Sequence, residues 1–137
     1  MYNMCQYNNI LKNTGDHEMM VFKLLVHGNS LTEWITPYTE TRLIQGKQYN
    51  GGKLDIKYAK KPKSIGKGYF HCYATYMDAL DARRRTFIGP ICFVVKCIIP
   101  KNTAYYEGTF DASKEKTLAV RSIILDKVVF NEEDAYK

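Results

Sequence analysis

Three observations predict a small α+β domain, a twisted mixed or antiparallel sheet of five or six strands with one main helix. The chain contains several apolar runs of strand length, one segment with the capping and charge order of a helix, and turn residues between them. Its 137 residues have room for one core, and 45% hydrophobic with 25% charged residues is a globular composition, which excludes wholesale disorder. No stretch approaches the roughly eighteen consecutive apolar residues of a membrane span. The opening Met-Tyr-Asn-Met-Cys lacks the basic and apolar regions of a signal peptide, so an intracellular protein without membrane contact is expected.

Residues 1–18 are polar, asparagine-rich and weakly patterned, and are expected to form a loose arm before a single domain over 19–137. Met19 to His27 (MMVFKLLVH) is an apolar run with one lysine, ended by Gly28-Asn29, and predicts a buried first strand followed by a turn. Ser-Leu-Thr-Glu from Ser30 has capping-box spacing, predicting a short turn that contains Leu31 and Trp34 and stops at Pro37. Thr39 to Ile44 suits a second strand, after which Gly46, Asn50, Gly51 and Gly52 make the chain turn-rich and the lysine segment around Pro62 reads as a long loop.

Tyr69 to Tyr73 is a short aromatic strand. Thr75-Tyr76-Met77-Asp78 then repeats the capping-box geometry with Asp in place of Glu. Asp78 and Asp81 lie near the positive end of the predicted helix and Arg83 to Arg85 near the negative one. After Gly89-Pro90, Ile91 to Ile99 (ICFVVKCII) predicts a central strand. Tyr105-Tyr106 suits a short edge strand, and Leu118 to Phe130 a long, bulged final strand.

Cys5, Cys72, Cys92 and Cys97 have neither the context of a secreted disulfide framework nor zinc-ligand spacing, so reduced, buried thiols and no metal are expected. The formal net charge of +6 is uneven. Residues 47–67 hold seven lysines against Asp55 alone, whereas residues 102–137 hold five basic and seven acidic groups. A localised field of that kind steers anionic partners. Lys53, Lys57, Lys60, Lys61, Lys63 and Lys67, with Tyr69, Tyr73 and the triplet Arg83, Arg84 and Arg85, form the candidate partner-binding set. Aromatics interleaved with cations stack bases and neutralise phosphates, and Tyr and Arg also anchor protein interfaces. No P-loop, nucleophile elbow or suggestively placed carboxylate pair supports a hydrolase.

Val94 to Gly108 (VVKCIIPKNTAYYEG), Asp111-Ala112-Ser113-Lys114 and Val120 to Ile124 resemble a domain of phage and bacterial proteins. In that family a strand ends in V-K-C-x-I-P-K-G-T-x-Y and is followed by A-S-x-K and a closing strand. Gly68-Tyr69-Phe70-His71 and Asp78-Ala79 resemble its upstream G-[FI]-H motif and short helix. The resemblance covers about residues 44–125 and implies a phage-derived setting in the cytoplasm of a bacterial host, with no assigned activity to carry across.

Leu25-Val26-His27-Gly28 and Gly66-Lys67-Gly68-Tyr69-Phe70 are similar to two motifs of the diphtheria-toxin-like ADP-ribosyltransferases. That resemblance implies an NAD or related nucleotide site in which His27 and Gly28 meet the ribose and Tyr73 or Tyr76 stacks on nicotinamide. The glutamate of the family pattern has no counterpart on the final strand, which offers Arg121 and Asp126.

Together these observations predict a protein that acts by binding, without turnover or cofactor. Its concrete form is an anti-CRISPR-like, anti-defence inhibitor whose basic, tyrosine-rich surface engages a host protein or protein–nucleic-acid complex, with direct nucleic-acid binding or an NAD-binding domain as alternatives.

Overall fold

The structure, a computed structural model, describes residues 5–7, 10–37, 40–51, 69–110 and 115–137. Among them are eleven strand segments: β1 (Cys5–Tyr7), β2 (Lys12–Asn13), β3 (Met19–His27), β4 (Glu33–Ile35), β5 (Arg42–Ile44), β6 (Gln48–Asn50), β7 (Phe70–Tyr73), β8 (Phe93–Ile99), β9 (Ala104–Phe110), β10 (Lys116–Val120) and β11 (Ser122–Val128). Two helices, α1 (Tyr76–Arg85) and α2 (Glu132–Ala135), accompany them. All of the strand pairings are antiparallel. The expected α+β class with five or six strands is therefore corrected to a sheet-rich antiparallel fold with two short helices. Five strands, β1, β2, β4, β5 and β6, are only two or three residues long, too short to show a period of two in the sequence. The long final run divides into β10 and β11 at Arg121.

That division closes the sheet. The strand order β10-β7-β3-β8-β11 returns to the chain it left, because β10 and β11 are separated by Arg121 alone. β8 runs beside β3 over seven residue pairs, whereas β7 meets β3 only at Phe22↔Tyr73. The result is a small barrel with one weak seam. Leu118 and Val120 on β10, and Ile123 and Leu125 on β11, all reach the same core although their numbering changes parity. Arg121 is the extra residue that restores the facing, as a bulge does.

Inside lie Val21, Leu25, Val95, Cys97 and Ile99 with the β10–β11 residues. On the outer face Phe22 and Val94 pack beneath α1 and α2 with Tyr76, Ala79 and Ala135. Burial on both faces explains why β3 and β8 read as continuous apolar runs. Lys23 and Lys96 sit within them nonetheless, at 8% and 4% exposure. Lys23 Nζ donates to the His71 carbonyl at 2.6 Å, and Lys96 Nζ donates to the Lys137 carbonyl at 2.7 Å and pairs with Asp126 at 3.2 Å. Each ammonium is thereby partnered, as burial of a charge requires.

β3 spans the residues the sequence indicated. Thr75 caps α1 as expected: its hydroxyl accepts from the Asp78 N–H at 3.0 Å and donates to the Asp78 carboxylate at 2.6 Å. Ser30 opens a turn that holds Leu31 and closes with the Glu33 N–H on the Ser30 carbonyl, but Trp34 lies beyond it in β4. The expected edge strand at Tyr105-Tyr106 is β9, interior to the sheet between β1, β2 and β10. Residues of the expected loose arm thus contribute two strands to the sheet.

Cys72, Cys92 and Cys97 are buried free thiols. Burial pushes the Cys97 thiol well above the usual 9.0. Cys92 is also raised by burial, with Arg83 pulling against the shift. Below pH 9 the thiols stay protonated in both folded and unfolded chains and add no pH dependence. Above it the unfolded chain ionises first, so stability falls as pH rises. Urea midpoints should therefore drop as the pH rises above about 9; replacing Cys97 with Ala should flatten that drop.

Candidate interaction surface

The lysine segment is framed by two described residues that meet at one place. The Gly51 N–H donates to the Arg121 carbonyl at 2.7 Å, and the Arg121 guanidinium carbon lies 5.9 Å from the centre of the Tyr69 ring. Tyr69 in turn leans on Tyr106 with ring centroids 5.6 Å apart. Burial raises the Tyr69 phenol, the neighbouring Tyr106 adds to the rise, and Arg121 opposes it. The corner residue that closes the barrel also holds both ends of the segment 52–68. Lys53, Lys57, Lys60, Lys61, Lys63 and Lys67 lie outside the described residues.

Charge is distributed accordingly. The described residues carry thirteen basic and twelve acidic side chains, so five of the six net positive charges belong to residues 52–68.

The arginine triplet is used differently. Arg83 Nε donates to the Cys92 carbonyl at 2.8 Å, tying the last turn of α1 to the start of β8. Arg85 Nε bonds Glu115 at 2.9 Å, and that carboxylate is only 5% exposed. Arg84, 65% exposed, makes a 3.5 Å contact with Asp81, an i,i+3 pair of small energetic weight. Arg85 at Glu115 and Tyr69 at Arg121 mark opposite ends of β10, about 20 Å apart along the strand. Tyr73 is half-buried against the α1 side of the sheet. The described members of the candidate set, Tyr69, Tyr73 and the arginine triplet, do not form one continuous patch, a separation hidden in the chain by the short spacing of Tyr69 from Arg83. Arg85→Ala should cost about 2 kcal/mol by stranding the Glu115 carboxylate. Thermal melts should report that loss, whereas Arg84→Ala leaves the melting temperature unchanged.

The nucleotide-site residues are likewise apart. His27 is stacked on Trp34 with centroids 3.9 Å apart and planes at 27°, and Phe93 meets its ring edge-on at 5.0 Å. Gly28 is needed for a different reason: a Cβ there would collide with the Glu33 carboxylate, which is held by the Asn29 N–H at 2.7 Å and Arg42 at 2.8 Å. Tyr73 pairs with Phe22, five residues and about 17 Å up the strand from His27. Tyr76, the first residue of α1, is 5% exposed, its ring edge-on to Phe22 at 6.1 Å. The structure does not gather these four residues around a common space.

A cleft of ≈ 620 Å³ opens where β7 and β3 part, lined by Met19, Met20, Glu107, Lys116 and Thr117 among others. None of the candidate residues from the sequence lines it among the described residues. Glu107 is paired with Lys12 at 2.9 Å, and the Thr117 hydroxyl, buried beside the cleft, has no hydrogen-bond partner. Among the described residues no group of three or more His, Cys, Asp or Glu could hold a metal ion, and no helix is long and apolar enough to cross a membrane. Compared with known proteins, the chain matches no family model, no curated protein and no solved structure.

Proposed function

We propose that the chain acts by binding, without turnover, as an anti-defence inhibitor of a nucleic-acid-handling complex in a bacterial host, in the phage-derived setting its sequence resemblance implies. The single observation that supports this reading is the concentration of five of the six net charges in a segment whose two flanks are both fastened at Arg121. A cationic segment tethered to a closed barrel presents a dense positive field from one place, which speeds encounter with an anionic face and suppresses cationic ones. The partner is an acidic protein surface of that complex, and bound guide or target nucleic acid is the competing occupant.

A tagged pull-down from bacterial lysate, split with and without nuclease, tests the reading. A stoichiometric protein that survives nuclease is expected. Loss of all captured material on nuclease treatment would move the assignment to direct nucleic-acid binding, and an empty pull-down would overturn it.

A further inference from the structure

β3 is open along one side where it begins. β8 pairs with it from Met19 to Leu25, but on the other side the first residue with a strand partner is Phe22, opposite Tyr73 of β7. β7 then ends: the Ala74 N–H goes to the Lys116 carbonyl at 2.9 Å, and Thr75 turns the chain into α1. In an antiparallel pair, opposed residues either exchange their own main-chain bonds or leave the bonding to their neighbours, and here the second pattern would need the Ala74 N–H for Val21. Phe22 and Tyr73 therefore exchange their own bonds. Groups two residues apart on a strand point the same way, so the Met20 N–H and C=O face the lane that β7 has vacated. Among the described residues no strand pairs with them there. Unpaired main-chain groups of this kind are a template for one more strand.

The lane opens on the cleft of ≈ 620 Å³, which Met19, Met20, Ala74 and Leu118 line together with Glu107 and Lys116. Leu118 belongs to the barrel core and Met19 packs against it. Lys116 stands two residues before Leu118 on β10, and Glu107 is opposite Leu118 on β9, so both charged residues lie on that core-facing side of the sheet. Their charges differ in effect. Glu107 is neutralised by Lys12 at 2.9 Å, whereas Lys116 is exposed and has no ion pair among the described residues. One place thus offers a main-chain donor and acceptor, an apolar floor and an uncompensated cation. We propose that Met20 recruits an extended peptide segment of a partner protein as an added strand in the lane beyond Tyr73, with an apolar side chain over Met19 and Leu118 and, two positions along, an Asp or Glu carboxylate on Lys116. The inference deepens the binding reading above and rests on it only in requiring a protein partner; the segment 52–68 plays no part in it.

The test selects a phage-displayed library of random seven-residue peptides on the immobilised full chain, then titrates the selected peptides singly against it. Sequences without proline, carrying an apolar residue two positions from Asp or Glu, are expected. Met20→Pro removes the N–H at a position where no ladder uses it, which an edge strand tolerates, and should weaken the best peptide about tenfold. Methylating the peptide's own backbone nitrogens one at a time gives the same readout on the unaltered chain, with about a tenfold loss expected at one of them. Lys116→Glu should weaken the acidic peptides and select Lys or Arg in their place. No enriched sequence, binding indifferent to both Met20→Pro and backbone methylation, or an acidic preference unchanged by Lys116→Glu would overturn the proposal. A chain reversed at Lys60, Lys61 and Lys63 keeps the two readings apart. It should retain the peptides; losing them would assign the acidic preference to the basic segment and overturn the cleft site. An empty lysate pull-down with peptide binding intact would overturn the inhibitor reading alone.

Discussion

Trp34→Ala is expected to destabilise the domain by about 3–5 kcal/mol, the usual cost of deleting a large buried aromatic. Trp34 is 1% exposed and ranks among the largest fully buried side chains. It stands in β4 opposite His27 of β3 and Leu43 of β5, so a single ring joins the outlying strands to the barrel core. Its faces are taken by His27 and by Phe93, whose ring lies 5.7 Å away at 67°. The indole Nε1 also donates to the Gln45 side chain at 3.2 Å, and Gln45 in turn donates to the Asp126 carbonyl of β11 at 2.8 Å. Deletion therefore removes packing and one link of a polar chain across the β4–β11 junction. Trp34→Phe should retain most of the packing and lose about 1 kcal/mol with the hydrogen bond. The chain has one tryptophan, so urea titrations must be followed by circular dichroism. A lowered midpoint at unchanged slope is the expected signature.

Gly89→Ala is expected to cost about 3 kcal/mol through overpacking against backbone that cannot yield. A Cβ at Gly89 would collide with the Arg83 carbonyl oxygen, approach the Arg83 carbonyl carbon to 3.0 Å, and meet the Thr86 hydroxyl at 3.2 Å. The contact is with the C-terminal turn of α1, where the Thr86 N–H still closes on Ala82 at 3.1 Å. Relief would require α1 and β8 to separate, which pulls Tyr76 and Ala79 away from Phe22 and Val94. Gly28→Ala is milder, since the obstacle there is the movable Glu33 side chain. Paired urea titrations of the two variants should therefore rank Gly89→Ala well below Gly28→Ala in midpoint.

The parts of the fold that were legible in the sequence are those where one local signal coincides with one element. Met19 to His27 is apolar on both faces because helices cover one side of β3 and the barrel interior the other. The Thr75 cap is a contact between neighbours in the chain. Closure of the sheet was not legible, because it depends on Arg121, one of several polar residues within a long run that reads as a single strand. The short strands β4, β5 and β6 are stabilised by what they pair with, so their sequences carry little period of their own. Lys23 and Lys96 look like outward-facing residues, yet each is buried with carbonyl partners supplied by distant parts of the chain.

At the surface, the lysine concentration was visible by counting, but its attachment was not. That Gly51 and Tyr69 both end at Arg121 follows from strand pairings between residues fifty or more apart in the chain, namely Asn50 with Ser122 and Phe70 with Val120. The arginine triplet was legible as a helix terminus, and the macrodipole explains its placement. Its division into a backbone clamp, a solvated residue and a buried ion pair depends on Cys92 and Glu115, which no local pattern connects to it.

The central claim is that the segment anchored at Arg121 binds through charge. The most direct measurement is the affinity of the nuclease-resistant captured partner for the wild-type chain and for the Lys60→Glu, Lys61→Glu, Lys63→Glu variant, each at low and high salt. The account predicts at least about a tenfold loss for the variant at low salt and a flatter salt dependence. Equal affinity of the two chains at low salt would contradict it.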